Sequence, residues 1–367
     1  MKKALIIAYN DLNNSGVPNV IYQTVKALHD EYSFDVLIFN DDVYYYQKLI
    51  DEGITINLIK YKEDKPKLKI RRLFWWFFKQ PHKHFKFMKQ LLKAKDYSVV
   101  HSFKEYYSWP FFKAAEKLGI KKRILHRNIN PEQPKQISIK LLEKKNRRLS
   151  IKYASDLVGV SELCCKNAYE NHNYIVLYNC YDEQKYNMNV KNRLNDDELV
   201  LTQVGSYSEN KNQLFSLQVL KELLKLHTNT KLNLVGANGM TPYYQKLIDY
   251  VKENNLENNV SFIERSDSVE KIYEKTSFVI IPSNREGFSL VAVEAQACGI
   301  QVTASSSLPR EVNLGGVKFY DLSKGSNYWS KEIYNSFLIE KNNRMSYNAS
   351  SFTFAEFQKN LHNLYKI

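Results

Sequence analysis

Phe278-Val279-Ile280-Ile281-Pro282-Ser283-Asn284-Arg285-Glu286-Gly287-Phe288-Ser289-Leu290-Val291-Ala292-Val293-Glu294-Ala295-Gln296-Ala297-Cys298-Gly299 is an apolar run, a polar turn and a second apolar run closed by glycine. Phe278 to Ile281 has the composition of a buried strand, Ser289 stands where a helix N-cap is expected and Gly299 where a helix stops, so the stretch reads strand, turn, helix. Glu286 then falls in the turn and Glu294 on the helix. Between Leu290 and Cys298 only Glu294 and Gln296 are polar, and at about 100° per residue they point roughly 200° apart. They cannot share one solvent face, so at least one meets protein or ligand. A buried carboxylate has to be paired or hydrogen-bonded. A neighbouring loop satisfies that need, and so do the hydroxyls of a bound sugar or ribose.

Working outward, the same alternation recurs. Leu199 to Val204, Lys231 to Val235, Val260 to Ile263 and Gln301 to Ala304 are further strand candidates with helical stretches between them. An earlier series runs through Lys3 to Tyr9, Phe34 to Phe39, Ile54 to Ile59, Ser98 to His101, Arg123 to His126 and Asp156 to Val160, with a first helix over Asn19 to His29. Alternating strands and helices of this kind imply α/β structure with two doubly wound, Rossmann-like sheets. The polar, aperiodic segment Asn179 to Asp197 is the expected linker, which places one domain over 1–180 and a second over 181–345. After Tyr320 the pattern is helical to the end. In such folds ligands bind beyond the carboxyl ends of the strands, and two facing domains set those ends across a cleft. The loops carrying Gly16, His126, Lys211 and Glu286 all follow strands.

At 367 residues the chain is long enough for two ordinary domains. Met1-Lys2-Lys3 leads directly into a strand rather than a signal peptide, and no apolar run is long enough to span a bilayer, so a cytoplasmic protein is expected. The four cysteines fit neither a disulfide framework nor a Cys-x-x-Cys metal site and read as free thiols. No Asp-x-Asp pair occurs, and neither a metal site nor a cofactor is expected.

The quoted stretch resembles the Glu-x7-Glu signature of retaining nucleotide-sugar glycosyltransferases of family 4, in the Glu-Ala-Gln-Ala variant of bacterial capsule and exopolysaccharide enzymes. Gln203 to Gln213, Leu232 to Gly236, Val260 to Ile263, Val158 to Glu162, Ser15-Gly16-Val17 and Val99 to Ser102 resemble further segments of that family, in its order, over nearly the whole chain. The resemblance implies GT-B architecture, with an acceptor-side first domain, a nucleotide-sugar-binding second domain and a C-terminal helix over 346–367 returning to the first. It implies that Glu286, His126 and Lys211 serve catalysis, Glu286 contacting the transferred sugar and Lys211 the departing diphosphate. Donor binding is expected from Gly16, Ser206, Lys211, Arg265, Glu286, Gly287, Phe288, Ser289, Leu290 and Glu294, the last on the ribose. Backbone amides at a helix N-terminus favour phosphate. Ser206 stands where the family has arginine, so Arg265 or Arg285 is a candidate replacement. His101 is a weaker candidate of the same kind as His126. The implied reaction moves a sugar from a nucleotide sugar, UDP foremost, to a lipid-linked saccharide in cell-surface glycan synthesis. A nucleotide-sugar epimerase of the same fold, or a basic nucleic-acid-binding protein, are the alternatives.

The net charge of +14 is concentrated. From Lys60 to Lys95, basic residues alternate with aromatics and the only acids are Glu63 and Asp64. Such a segment suits an anionic membrane surface, with Arg71 and Arg72 supplying charge and Trp75 and Trp76 inserting at headgroup depth. A solvated charge run over core aromatics and a single-stranded nucleic-acid surface are the other readings. The first of the three places the enzyme on the inner face of the cell membrane.

Overall fold

The apolar runs that open each half of the chain become central strands of two parallel sheets. A computed structural model describes residues 1–8, 16–41, 43–62, 75–129, 136–186, 197–236, 241–264, 266, 268–340 and 345–366. The first sheet comprises β1 (Lys2–Ile7), β2 (Tyr32–Ile38), β3 (Ile56–Lys60), β4 (Val99–Ser102), β5 (Lys122–Arg127), β6 (Asp156–Gly159) and β7 (Ile175–Val176). Its order is β3-β2-β1-β4-β5-β6-β7, and every pairing is parallel. The second comprises β8 (Leu199–Val204), β9 (Thr230–Val235), β10 (Val260–Ile263), β11 (Phe278–Ile281), β12 (Gln301–Ser305) and β13 (Val317–Tyr320). Its order is β10-β9-β8-β11-β12-β13, again all parallel. Helices on both faces demand strands that are apolar on both sides, and β4 and β11 are buried at every position. The two doubly wound sheets expected from the sequence are therefore present.

Each sheet has its own core. Leu5, Ile7, Leu37, Val100 and Leu125 pack with Phe111, Phe112 and Tyr169 in the first. Leu201, Leu232, Leu234 and Ile280 pack with Leu217, Leu220 and Trp329 in the second. The chain divides into unit 1, Met1–Asn179 with Ala355–Ile367, and unit 2, Cys180–Phe354. Residues 346–354 thus lie with unit 2, and the segment that rejoins unit 1 begins at Ala355 rather than at 346.

Two edge strands escape the sequence reading. β7 is only two residues long, too short to show a period, and β13 carries Lys318 and is largely half-exposed. The first helix begins at Gly16 rather than Asn19. Within the expected linker, Glu183–Tyr186 form one helical turn, and residues 187–196 lie outside the described residues.

Candidate functional site

In each sheet the strand order reverses beside the first strand of its unit, between β1 and β4 and between β8 and β11. A ligand crevice forms where successive crossovers leave in opposite directions at such a point. In unit 2 the two loops leaving the switch point are 205–212, after β8, and 282–289, after β11. They are tied together by backbone and amide bonds. Asn284 N–H donates to the Asn210 carbonyl at 2.8 Å, Asn210 Nδ2 to the Arg285 carbonyl at 3.0 Å, Asn284 Nδ2 to the Glu209 carbonyl at 2.7 Å, and Asn212 Nδ2 to the Pro282 carbonyl at 3.2 Å. Gly236, at the end of β9, is required by the same packing, since a Cβ there would lie 2.3 Å from the Gly205 carbonyl oxygen.

This clamp brings Lys211 and Glu286 into direct contact. Lys211 Nζ lies 2.6 Å from Glu286 Oε1, and Ser283 Oγ donates to the same oxygen at 2.7 Å. The carboxylate side chain is 8% exposed and the ammonium side chain 27%. One buried charge is neutralised by a second that retains access to solvent, so an anion arriving beside Lys211 meets a cation already held in place.

The helix after the turn is Leu290–Ala297. Ser289 precedes it with φ 87°, and its side chain caps nothing. The N-cap expected of Ser289 is therefore corrected: a left-handed φ at a non-glycine residue is uncommon, and here it leaves the first-turn amides without a side-chain acceptor from Ser289. Gly299, with φ 72°, ends the helix as expected. Phe288 directs its ring into unit 2 against Phe352, with centroids 5.2 Å apart, and Gly287 is buried.

The two polar residues of the helix separate as their 200° spacing requires. Gln296 is fully buried, donates to the carbonyls of Ala292 and Val312, and accepts from the amides of Leu314 and Gly316. Its side chain is satisfied by protein. Glu294 keeps part of its surface open, and its carboxylate has no hydrogen-bond partner among the described residues. Burial pushes its carboxyl up to about 7, Asp182 adding to the shift and Lys185 opposing it. An unsatisfied carboxylate in such a place favours neutralisation or a ligand that donates hydrogen bonds.

Ser206 is exposed and its carbonyl accepts from Gln213. Arg285 is half-buried on the clamped loop, and Arg265 lies outside the described residues. In unit 1, Gly16 is exposed at the start of its helix, and a Cβ there would meet nothing within 4 Å. His126 and His101 are buried on adjacent strands β5 and β4, and His101 Nε2 lies 3.1 Å from His126 Nδ1. Desolvation lowers His126 to about 3 and holds His101 well below its usual value, with His126 adding to the latter shift. Both rings are neutral at physiological pH. Among the described residues no three His, Cys, Asp or Glu side chains are grouped to hold a metal ion. The four cysteines are buried free thiols.

Residues 184–316, which contain both clamped loops and the helix after them, match the family model described as glycosyl transferases group 1. The chain is a GT-B glycosyltransferase. The glycosyltransferase is 26% identical over 303 residues to the Staphylococcus aureus capsular polysaccharide biosynthesis glycosyltransferase CapH, an alignment spanning 78% of this chain and 77% of the relative. It is 33% identical over 146 residues to the lipopolysaccharide 1,2-N-acetylglucosaminetransferase of Salmonella typhimurium, spanning 37% of this chain and 38% of that one. Among solved structures, Anabaena HepE in complex with UDP and glucose superposes with a TM-score of 0.74 at 15% identity over 99% of both chains, a likeness of fold.

The basic aromatic segment of this glycosyltransferase differs from expectation. Arg71 and Arg72 lie outside the described residues. Trp75 is 4% exposed and Trp76 half-buried, so Trp75 belongs to the protein interior and is not available for insertion. A π-helical turn, Trp75–Lys79, leads into the helix Gln80–Ala94, and the outward ring is that of Phe78, 60% exposed. Lys145 joins it from the helix Ile137–Tyr153, with Nζ 5.5 Å from the Phe77 and Phe78 ring centroids. That helix also exposes Ile137 and Leu141, at 78% and 59%. No described helix is long and apolar enough to cross a membrane.

Proposed function

We propose that the chain is a retaining, metal-independent glycosyltransferase of family 4 that moves a sugar from a nucleotide sugar, UDP foremost, to a lipid-linked saccharide in capsule, exopolysaccharide or other cell-surface glycan synthesis. The observation that carries this reading is the Lys211–Glu286 contact, held by two clamped loops beside the start of the helix Leu290–Ala297. Unit 2 is assigned the nucleotide sugar and unit 1 the acceptor side. Lys211, with the amides of Gly287, Phe288, Ser289 and Leu290, faces the diphosphate. Glu286 takes hydroxyls of the transferred sugar, and Glu294 the ribose hydroxyls. Gly16, without a side chain, leaves room at its loop, Ser206 and Arg265 complete the donor contacts, and His126 reaches the sugar. The names of the relatives, a capsular polysaccharide enzyme and a lipopolysaccharide N-acetylglucosaminetransferase, support the pathway class, and UDP in the HepE complex supports the donor class.

In the proposed step the bond between the anomeric carbon and the diphosphate oxygen breaks, its electrons leaving with the diphosphate. The acceptor oxygen bonds to the same face of that carbon, and its proton passes to a departing phosphate oxygen. The protein's task is to stabilise the negative charge that grows on the diphosphate, which preorganised cations and amides do without reorganising. The expected result is transfer that keeps the donor's anomeric configuration and persists in EDTA. Thermal shift against a panel of nucleotide sugars, since a ligand of the folded state raises apparent stability, followed by NMR of the product's anomeric proton, checks it. Inversion of configuration, or activity lost in EDTA and restored by Mg²⁺ or Mn²⁺, sinks the mechanism.

The acceptor's lipid places the enzyme on the inner face of the cell membrane. His82, Lys83, Lys86, Lys89 and Lys93 are exposed on the helix Gln80–Ala94, which contains no acid. Each cation near an anionic surface contributes about 1 kcal/mol. Replacing Lys86, Lys89 and Lys93 together by Ser, with Phe78→Ser, is expected to lower partitioning onto anionic vesicles by roughly 100-fold. Sedimentation with vesicles checks this, and equal binding to neutral and anionic lipid removes the membrane from the proposal.

A further inference from the structure

Tyr365, near the end of the C-terminal helix Phe354–Tyr365 of unit 1, meets the buried histidine pair. Its hydroxyl lies 2.8 Å from His101 Nδ1, and His101 Nε2 lies 3.1 Å from His126 Nδ1. His126 Nε2 is buried and has no hydrogen-bond partner among the described residues. Phe103 braces both rings, with centroids 4.4 Å from His101 and 4.8 Å from His126. The helix itself is docked separately, by Tyr32 donating to the Tyr365 carbonyl at 3.0 Å and by Gln358 donating to the Ala27 carbonyl at 2.8 Å.

A neutral imidazole has one N–H and one lone pair, so a chain of three such groups has two possible directions. In one, Tyr365 donates to His101 Nδ1, His101 Nε2–H donates to His126 Nδ1, and His126 carries its proton on Nε2. In the other, His126 Nδ1–H donates to His101, and His101 Nδ1–H donates to the Tyr365 oxygen. The first direction leaves a single unmet group, the His126 Nε2–H. The second leaves two, the Tyr365 hydroxyl hydrogen, which has no other acceptor among the described residues, and the His126 Nε2 lone pair. Buried polar groups left unmet are unfavourable, so the first direction holds.

We propose that Tyr365 is a positioning residue which, through His101, fixes His126 as the Nε2–H tautomer and so presents a neutral hydrogen-bond donor to an oxygen of the bound sugar. The ligand half of this statement rests on the proposed function, whereas the relay is a property of the protein alone. A neutral donor of fixed direction distinguishes an oxygen acceptor from a cationic or N–H group.

Two-bond ¹H–¹⁵N spectra of the full-length protein, with the histidine rings labelled, test the relay at neutral pH. Both His101 and His126 are expected in the Nε2–H form. Tyr365→Phe, which removes only the hydroxyl, is expected to lower the Nε2–H to Nδ1–H ratio at His126 about fivefold or more, the effect of one hydrogen bond. Gln358→Ala, which removes the bond of the same helix to the Ala27 carbonyl and leaves the Tyr365 hydroxyl in place, should leave that ratio unchanged. His126 in the Nδ1–H form in the unmodified protein, a result that needs no variant, overturns the proposal, as does an unchanged ratio in folded Tyr365→Phe. Adding a nucleotide sugar is expected to shift the His126 Nε2 proton. If the tautomers behave as stated but no bound donor shifts that proton, the sugar contact of His126 fails and the relay stands.

Discussion

Lys211→Ala is expected to lower the rate of sugar transfer by roughly 10² to 10³-fold, the range seen when one preorganised charge-stabilising group is removed from an active site. The ammonium, 2.6 Å from Glu286, is held by a loop whose carbonyl at Lys211 accepts from Gln203 Nε2 at 2.7 Å. Truncation therefore removes the cation without releasing the loop. It leaves Glu286 with Ser283 as its remaining partner in the pair described, so some stability is lost as well, on the order of 1–3 kcal/mol. Lys211→Ala with Glu286→Gln should recover most of that stability and none of the activity. Calorimetry of nucleotide binding together with steady-state rates separates the two effects. Unchanged donor affinity and rate in Lys211→Ala would remove this loop from the site.

Glu294 predicts a pH dependence with a definite sign. Its carboxyl is raised in the folded protein to about 7, so folding favours the protonated form. The stability this confers is complete below the ordinary carboxyl range near 4.5 and is lost as pH rises through 7. Glu294→Gln, which stays neutral, is therefore expected to be more stable than the unmodified protein above neutrality, by ~2 kcal/mol, and to approach it in acid. Nucleotide binding runs the other way. Ribose hydroxyls donate to the ionised form, so affinity should rise up to tenfold per pH unit until about pH 7 and then level, whereas the Gln variant binds about 10-fold or more weakly without that slope. Titration calorimetry at several pH values reads both. A flat affinity for the unmodified protein between about pH 5.5 and 8 would mean that ribose does not meet Glu294.

The helix that carries Glu294 shows how far local pattern reaches. Its 200° separation of Glu294 from Gln296 is enough to say that at least one of them meets protein or ligand, and Gln296 is bound by the 312–316 loop. The strand runs were legible for the same reason, because burial on both faces leaves an uninterrupted apolar stretch. Pairings between distant segments were not. Lys211 and Glu286 are 75 residues apart, and only the position of β8 next to β11 makes them neighbours. Ser289 has the composition of a cap, yet the turn forces its backbone left-handed and turns the hydroxyl away from that duty. Trp75 sits in a basic, aromatic run that suits a membrane, but composition does not reveal which rings pack inward, and Trp75 does while Phe78 does not. Tyr365 carries no local signal at all, since its partner lies 264 positions away.

Unit 1 is discontinuous: Ala355–Ile367 complete a fold begun by Met1–Asn179. Domains emerging from the ribosome ordinarily fold in N-to-C order, but here the second unit has all of its sequence before the first does. A nascent chain that has emerged only as far as Phe354 can close the sheet that carries Lys211 and Glu286 while Tyr32 and His101 still lack the ring they pack against. Closure of the first sheet's histidine pair thus waits on a segment made after the whole of the second unit, and a chain lacking the helix Phe354–Tyr365 leaves the His101–His126 pair without its third member.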